Sequence, residues 1–471
     1  MKQLLLFVFL CCCASSYAQT KFLGSWQGAI NVGKELHLGF NIKAESNGTY
    51  SATMDSPDQG VTGIPCSGVA IHGDSITIEM AKLKAAYNGV LDDISNISGS
   101  WTQSGTSIML NLKRIGKPVE LIRPQTPKPP FAYISEDTTY QDAYKIITYG
   151  ATITIPKGKG PFPAVVLITG SGAQNRDEEL FGHKPFAVIA DYLTRHGYIV
   201  LRVDDRGVGK TTGERKMATS VDFADDVIAA VEYLHTRKEV DLKKIGLMGH
   251  SEGGMIAPMV ARQRKDISFI ILMAGPGVKI AQLMEEQNTA LFEKAGMSKA
   301  TTDRYALLYR NIIKQINKSK DSTEARTRIN DAVEDWKINT SEEIITTTTG
   351  IKDEKTQRTF VDGFMEIYNN SWFKYFLSYD PQPNLQKLTC KVLALNGEKD
   401  MQVIAKSNLA GIRSALEKSK SKAFETHELP GLNHLFQHCQ LCTVSEYGQL
   451  EETISTDALK MVTDWLDKNI Q

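Results

Sequence analysis

The sequence predicts an α/β domain, a mostly parallel sheet with helices on both faces and a helical insertion, behind a small N-terminal antiparallel β domain. Three observations carry this. Beyond about residue 139, continuous apolar runs such as Ala164-Val165-Val166-Leu167-Ile168 alternate with helical periodicity, as strands covered on both faces do. From Lys21 to about Arg114, short runs alternate apolar and polar residues, as strands with one wet face do. Between the two lies a stretch holding Pro118, Pro124, Pro127, Pro129 and Pro130, which favours extended backbone and cannot enter a sheet interior.

The elements follow in order. Lys2, an apolar run from Leu4 to Ala14 and the small residues Ser16 and Ala18 around Tyr17 predict a signal peptide over residues 1–18, cleaved before Gln19. The run is too short to span a bilayer, which takes about 20 residues. Cys11, Cys12 and Cys13 raise the alternative of a lipid-anchored cysteine, but the preceding Phe9 and Leu10 are bulky where a lipoprotein signal needs small residues. No later segment reads as a membrane helix. The expected protein is exported, periplasmic or extracellular, with no stable membrane insertion. With 54 basic and 54 acidic residues it lacks the basic excess of a nucleic-acid binder.

Residues 21–117 are expected to form a β barrel or sandwich. Leu36-His37-Leu38-Gly39-Phe40-Asn41-Ile42 and Ser75-Ile76-Thr77-Ile78-Glu79-Met80 are typical strands, and Asn47-Gly48 marks a turn. Gly99-Ser100-Trp101-Thr102 echoes Gly24-Ser25-Trp26-Gln27 and suggests a meander closing on itself. Residues 118–138 read as a linker, and 139–471 as the α/β domain. There, strands are predicted at 164–168, 198–203, 245–248, 269–273, 391–395 and 424–429. Helices are predicted near 184–196, 221–237, from Glu252, near 404–416 and at 453–469. Residues 279–380 interrupt the series with helical spacing (Tyr305, Leu308, Ile312, Ile316). An insertion of that size usually forms a lid over the strand ends, where ligands bind.

The strongest chemical signal is Ile245-Gly246-Leu247-Met248-Gly249-His250-Ser251-Glu252-Gly253-Gly254. It is Gly-x-Ser-x-Gly between a strand and a helix, the context in which the motif means a nucleophile on a sharp turn. Serine needs a base, and in this architecture an acid and then a histidine follow after late strands. Asp400 lies just beyond the strand Leu393-Ala394-Leu395, and His434 just beyond the next. Ser251, Asp400 and His434 are therefore the candidate triad. His438 is the other plausible base and Glu398 the runner-up acid, whereas His427 sits inside the strand. The oxyanion donors are expected to be the N–H groups of Glu252 and Ser171, with Gly172 as the close alternative.

Together these residues resemble an α/β-hydrolase, of the group of exported bacterial carboxylesterases and serine-aminopeptidase-like hydrolases with an inserted lid. Three further segments carry the resemblance: Gly170-Ser171-Gly172-Ala173-Gln174-Asn175-Arg176-Asp177-Glu178, Asp204-Asp205-Arg206-Gly207-Val208-Gly209, and Ser371-Trp372-Phe373-Lys374-Tyr375-Phe376-Leu377-Ser378-Tyr379-Asp380-Pro381. The resemblance covers roughly residues 130–471. It departs at Thr169, where many relatives carry histidine. It implies a serine esterase acting on a small-molecule ester, with a serine peptidase as the alternative, and no metal or other cofactor.

Arg176, Trp372 and Phe373 are candidate substrate contacts, the two aromatics equally readable as lid core. Asp205 and Arg206 read as an internal ion pair fixing their loop. Cys439 and Cys442 read first as incidental thiols, then as a local disulfide, and last as metal ligands, since a structural zinc site needs four ligands at ordered spacing. Nothing in the sequence indicates oligomeric state.

Overall fold

The computed structural model describes residues 20–33, 35–118 and 121–470, so the predicted signal peptide lies outside the described residues. The chain divides into two units. The first runs to Pro124 and takes in Leu180–His183 and Val444–Glu451, and the second holds the remainder.

In the first unit, alternation makes the strands. They are β1 (Gly24–Asn31), β2 (Glu35–Ala44), β3 (Tyr50–Ser56), β4 (Val61–Pro65), β5 (Gly68–His72), β6 (Ser75–Met80), β7 (Ala85–Asp93), β8 (Asn96–Gln103), β9 (Thr106–Met109) and β10 (Leu112–Ile115). They form one antiparallel sheet in the order β4-β3-β2-β1-β10-β8-β7-β6-β5, with β9 on β8. The two similar Gly-Ser-Trp segments thus flank β10 rather than pair with each other. The inward residues Trp26, Phe40, Ile78, Tyr87 and Trp101 form a single core, so the sheet is curled around one face rather than split into two. Arg123, in the proline-rich stretch, donates to the carbonyls of Phe181, Gly448 and Leu450 at 2.8, 2.7 and 3.0 Å and ties the two short later segments into this unit.

The second unit carries β11 (Ile134–Gln141), β12 (Thr148–Ile155), β13 (Phe162–Ile168), β14 (Ile199–Val203), β15 (Val240–His250), β16 (Ile267–Met273), β17 (Lys391–Gly397) and β18 (Phe424–Leu429). Their order is β11-β12-β14-β13-β15-β16-β17-β18, parallel from β14 to β18. The first two strands are antiparallel additions. The linker predicted over residues 118–138 is therefore shorter, because β11 begins at Ile134. That strand is mostly exposed on the sheet edge and has no apolar signal to show.

Helices α1 (Pro185–Arg195), α2 (Ser220–His235) and α3 (Glu252–Gln263) connect the early parallel strands. Between β16 and β17 come α4 (Ile280–Lys294), α5 (Lys299–Lys318), α6 (Ser322–Ile338), α7 (Glu342–Thr349), α8 (Glu354–Asn369) and α9 (Ser371–Ser378), followed by a single helical turn at Gln382–Leu385. Then follow α10 (Ala405–Leu416) and α11 (Thr456–Asn469). The sheet has a core on each face. Phe186, Leu193, Leu459, Val462 and Trp465 from α1 and α11 fill one. Residues of α2, α3 and α10 fill the other, which continues into the inserted helices. Burying one such Leu, Val or Phe contributes about 1.5–3 kcal/mol, and the spacing of Ala458, Leu459, Val462, Trp465 and Leu466 puts five on one helical face.

Strand order reverses beside β13, with β14 on one side and β15 on the other. The loops leaving the carboxyl ends of β13 and β15 part there, and open α/β sheets bind ligands in that crevice. No helix among the described residues is long and apolar enough to cross a membrane.

Candidate active site

Ser251 stands at the turn from β15 into α3 with φ 53° and ψ −116°, a left-handed conformation that non-glycine residues seldom adopt. The surroundings hold it there. Its N–H donates to the Met273 carbonyl at 2.9 Å, and its own carbonyl accepts the Gly254 N–H at 2.9 Å. The turn closes only because residues 249 and 253 lack side chains: a Cβ on Gly249 would stand 2.0 Å from the Gly253 oxygen. The hydroxyl makes no capping bond to its helix and no hydrogen bond among the described residues.

His434 and Asp400 meet nearby, the His434 ring lying 4.8 Å, centroid to centroid, from that of His250, the residue before the serine. His434 Nδ1 lies 2.8 Å from Asp400 Oδ2, and both side chains are buried. Asp400 is itself positioned: Oδ1 accepts the N–H groups of Gln402 and Val403 at 2.8 and 2.9 Å, and Asn396 Nδ2 donates to Oδ2 at 3.2 Å. An acid so held fixes the Nδ1–H tautomer and leaves Nε2 as the base. Among the described residues no hydrogen bond joins Ser251 Oγ to His434, and such contacts often tighten only around substrate. The competing residues are engaged elsewhere. His438 is exposed and pairs with Glu452 at 2.9 Å, Glu398 accepts the Gly431 N–H at 3.0 Å, and His427 contacts Glu425 at 3.0 Å.

The segment after β13 packs directly on the nucleophile, since a Cβ on Gly170 would lie 3.3 Å from Ser251 Cβ. The Gly170 N–H is taken by Glu178 Oε1 at 2.6 Å. No intrachain bond among the described residues engages the N–H groups of Ser171, Gly172 or Glu252, the three expected oxyanion donors. Asp205 tethers this segment. It accepts Thr169 Oγ1 at 2.6 Å, the Gln174 N–H at 3.0 Å and Arg215 Nη1 at 3.0 Å. Burial pushes its carboxyl up to about 6, with Glu178 adding to the rise and Thr169, Gln174 and Arg215 opposing it. The fold thus favours the neutral acid. Stability from this group is full below the unfolded value of about 3.9 and is lost as pH rises through about 6, on the order of 3 kcal/mol. Asp205→Asn is expected to lack that slope, which denaturant unfolding of both proteins from about pH 4 to pH 6.5 would show.

Glu252, beside the nucleophile, turns its side chain inward. Oε1 accepts Ser220 Oγ at 2.6 Å and Trp372 Nε1 at 2.8 Å, and burial raises its carboxyl above the usual range. Trp372 on α9 stacks on Phe376 at 5.1 Å and meets Phe373 edge-on at 5.3 Å. The structure therefore brings an inserted helix to the residue after the nucleophile.

Three expectations need correction. Arg176 is a brace rather than a substrate contact: it grips Asp204 in bidentate fashion (Nε–Oδ1 3.0 Å, Nη2–Oδ2 2.7 Å) and donates to Thr152 at 2.9 Å, so its guanidinium is committed. Asp205 and Arg206 do not pair with each other: Arg206 binds Asp226 at 2.8 and 3.1 Å, because successive residues leave the loop on different sides. Cys439 and Cys442 are not incidental thiols but a disulfide, formed where the turn brings their Cα atoms within 5.0 Å.

Two residues were not singled out in the sequence. His250 and Glu178 are buried and lie 3.0 Å apart, Nδ1 to Oε1, and His250 Nε2 lies 3.0 Å from the His434 carbonyl. The sequence signal was slight: a histidine flanking the nucleophile and an acid after the Gly-Ser-Gly turn, 72 residues apart.

The sheet order and the Gly-x-Ser-x-Gly turn at its crevice give the α/β-hydrolase fold, and part of the sequence is similar to a serine-hydrolase family and to an esterase. Residues 184–354 match the family model described as serine aminopeptidase, S33. Esterase EstD of Thermotoga maritima is 30% identical over 209 residues, 43% of this chain and 50% of that protein, so the chain spans about half of that relative's length. A stretch of 125 residues, 25% of this chain and 14% of the relative, is 31% identical to dipeptidyl peptidase 8 of Homo sapiens. Among solved structures, Est1E from Butyrivibrio proteoclasticus, with ferulic acid bound, shares 16% identity at a TM-score of 0.41, covering 69% of this chain and 96% of its own.

Proposed function

We propose that the protein is an exported serine hydrolase that cleaves carboxylic esters of small molecules. The observation that carries the reading is the buried Asp400–His434 pair in the domain that presents Ser251 on a strained turn. His434 takes the Ser251 proton as the hydroxyl oxygen attacks the ester carbonyl. Asp400 stabilises the imidazolium that forms. The oxyanion is received by the N–H of Glu252 and one from Ser171 or Gly172, at the positive end of α3. His434 returns the proton to the departing alkoxide, leaving an acyl group on Ser251. Water, activated by the same imidazole, then releases the acid. Trp372 and Phe373 would form one wall for the acyl group. The signal-like residues 1–18 support export.

A peptidase reading draws on the S33 match and the short similarity to dipeptidyl peptidase 8. Binding a substrate ammonium would need an unpaired acid near Ser251. Of the acids in the insertion, Glu285 is paired with Arg310 at 2.6 Å, Glu286 accepts Ser407 Oγ at 2.5 Å, and Glu334 binds Lys337 at 3.1 Å. Esters are the favoured class because the similarity to an esterase runs over 209 residues and that to the dipeptidyl peptidase over 125. Assays of the mature protein with p-nitrophenyl esters of graded chain length, beside aminoacyl-p-nitroanilides, are expected to give ester turnover at least about 10²-fold faster in kcat/KM, a difference of about 2.7 kcal/mol at the transition state. Faster anilide cleavage would overturn the ester assignment.

A further inference from the structure

We propose that His250 is a buried imidazolium paired with Glu178, and that this pair is the positioning device that locks the oxyanion segment, the nucleophile turn and the His434 loop to one another. The role rests on the hydrolase reading above; the charge state rests on geometry alone. Each ring nitrogen faces an oxygen. Nδ1 lies 3.0 Å from Glu178 Oε1, and Nε2 lies 3.0 Å from the backbone carbonyl of His434. A carbonyl can only accept. Glu178 Oε1 already accepts the Gly170 N–H at 2.6 Å. A neutral imidazole has one N–H, so beside an ionised Glu178 one of its two contacts would set lone pair against lone pair. With both nitrogens protonated, every contact is a hydrogen bond and the charge has a counterion.

The titratable groups facing the ring are Glu178, His434, whose ring centroid is 4.8 Å away, and Asp400 behind it. Phe436 closes the side edge-on at 6.4 Å. Burial opposes a charge on His250. The charge and hydrogen bond of Glu178, the His434 carbonyl and Asp400 outweigh it, and the ring is held above the ordinary histidine range. A buried charge of this kind is costly once either partner is lost. The pair spans three separate pieces of the site: Gly170 after β13, His250 at the end of β15 and His434 after β18. Misplacing such pieces by about 1 Å can cost about 10²-fold in rate.

The test uses the mature chain with isotope-labelled histidine. NMR is expected to show both ring nitrogens of His250 carrying protons at about pH 7.5, where an ordinary histidine has lost one. Its signals are assigned by their absence in His250→Gln. Glu178→Gln should return His250 to a single proton at neutral pH and lower kcat for an ester by about 10²-fold, with KM changed less than about twofold. A neutral His250 in the wild type overturns the charge assignment. Wild-type kcat in a folded Glu178→Gln overturns the positioning role. Should that variant not fold, the wild-type spectra decide the charge, and the kcat of a folded His250→Gln decides the role by the same criterion. Should the wild type cleave no ester, the hydrolase reading fails while the NMR result still decides the charge state.

Discussion

Ser251→Ala is expected to abolish covalent labelling by a fluorophosphonate probe and to lower ester kcat by about 10⁶-fold, leaving only what the oxyanion donors and binding supply. His434→Ala should be comparable, because the serine hydroxyl is a poor nucleophile without its base. Asp400→Asn should cost less, about 10⁴-fold, for a reason visible in its contacts. The Gln402 and Val403 N–H groups require an acceptor at Oδ1, so the new amide must turn its NH₂ toward His434 and Asn396. Two donors then face that NH₂, and His434 is pushed to the wrong tautomer. Intact-mass measurement after probe treatment, with steady-state ester kinetics, checks all three. Unchanged labelling of Ser251→Ala would place the nucleophile elsewhere.

A large loss of stability is expected from Gly253→Ala. A Cβ there would stand 2.1 Å from the Ile168 carbonyl oxygen. That oxygen belongs to β13 in the middle of the sheet, so the clash cannot be relieved by rotating a side chain. Either α3 moves off the sheet or the turn at Ser251 opens. The cost should be about 3 kcal/mol or more, with loss of probe labelling wherever protein still folds. Gly363→Ala is the matched control. Gly363 lies inside α8 with nothing within 4 Å of a new Cβ, so alanine should stabilise by about 0.5–1 kcal/mol. Unfolding midpoints of the three proteins decide the matter, and equal midpoints for Gly253→Ala and wild type would mean the turn is looser than its geometry.

The parts legible in the sequence are those whose chemistry and chain position coincide. Ser251 sits in a local motif, and Asp400 and His434 each sit just past an apolar strand that periodicity reveals. The antiparallel pair β11–β12 was not legible. β12 reads Thr148-Tyr149-Gly150-Ala151-Thr152-Ile153-Thr154-Ile155, whose threonines suggest a wet face, yet all but Thr148 are buried. Those threonines are satisfied inside: Thr152 donates to Asp137 at 2.6 Å and Thr154 meets Thr194 at 2.7 Å. Arg176 misled because a charge near a predicted site suggests a ligand, whereas its partner Asp204 lies 28 residues on, beyond another strand.

The sequence by itself determined the two sheet types and the helical character of residues 279–380, and it singled out Ser251, Asp400 and His434 as candidates. Periodicity and turn chemistry are local properties, readable over a few residues. Only the tertiary structure decided which charges face one another. It showed that Arg176 is spent on Asp204, that Trp372 reaches Glu252 from 120 residues away, and that Glu178 and His250 form a buried pair under the site. The physical reason is that the strength of a charge, and even its protonation state, depends on burial and on the partners the fold brings within about 3 Å. Neither is a property of the neighbours in the chain.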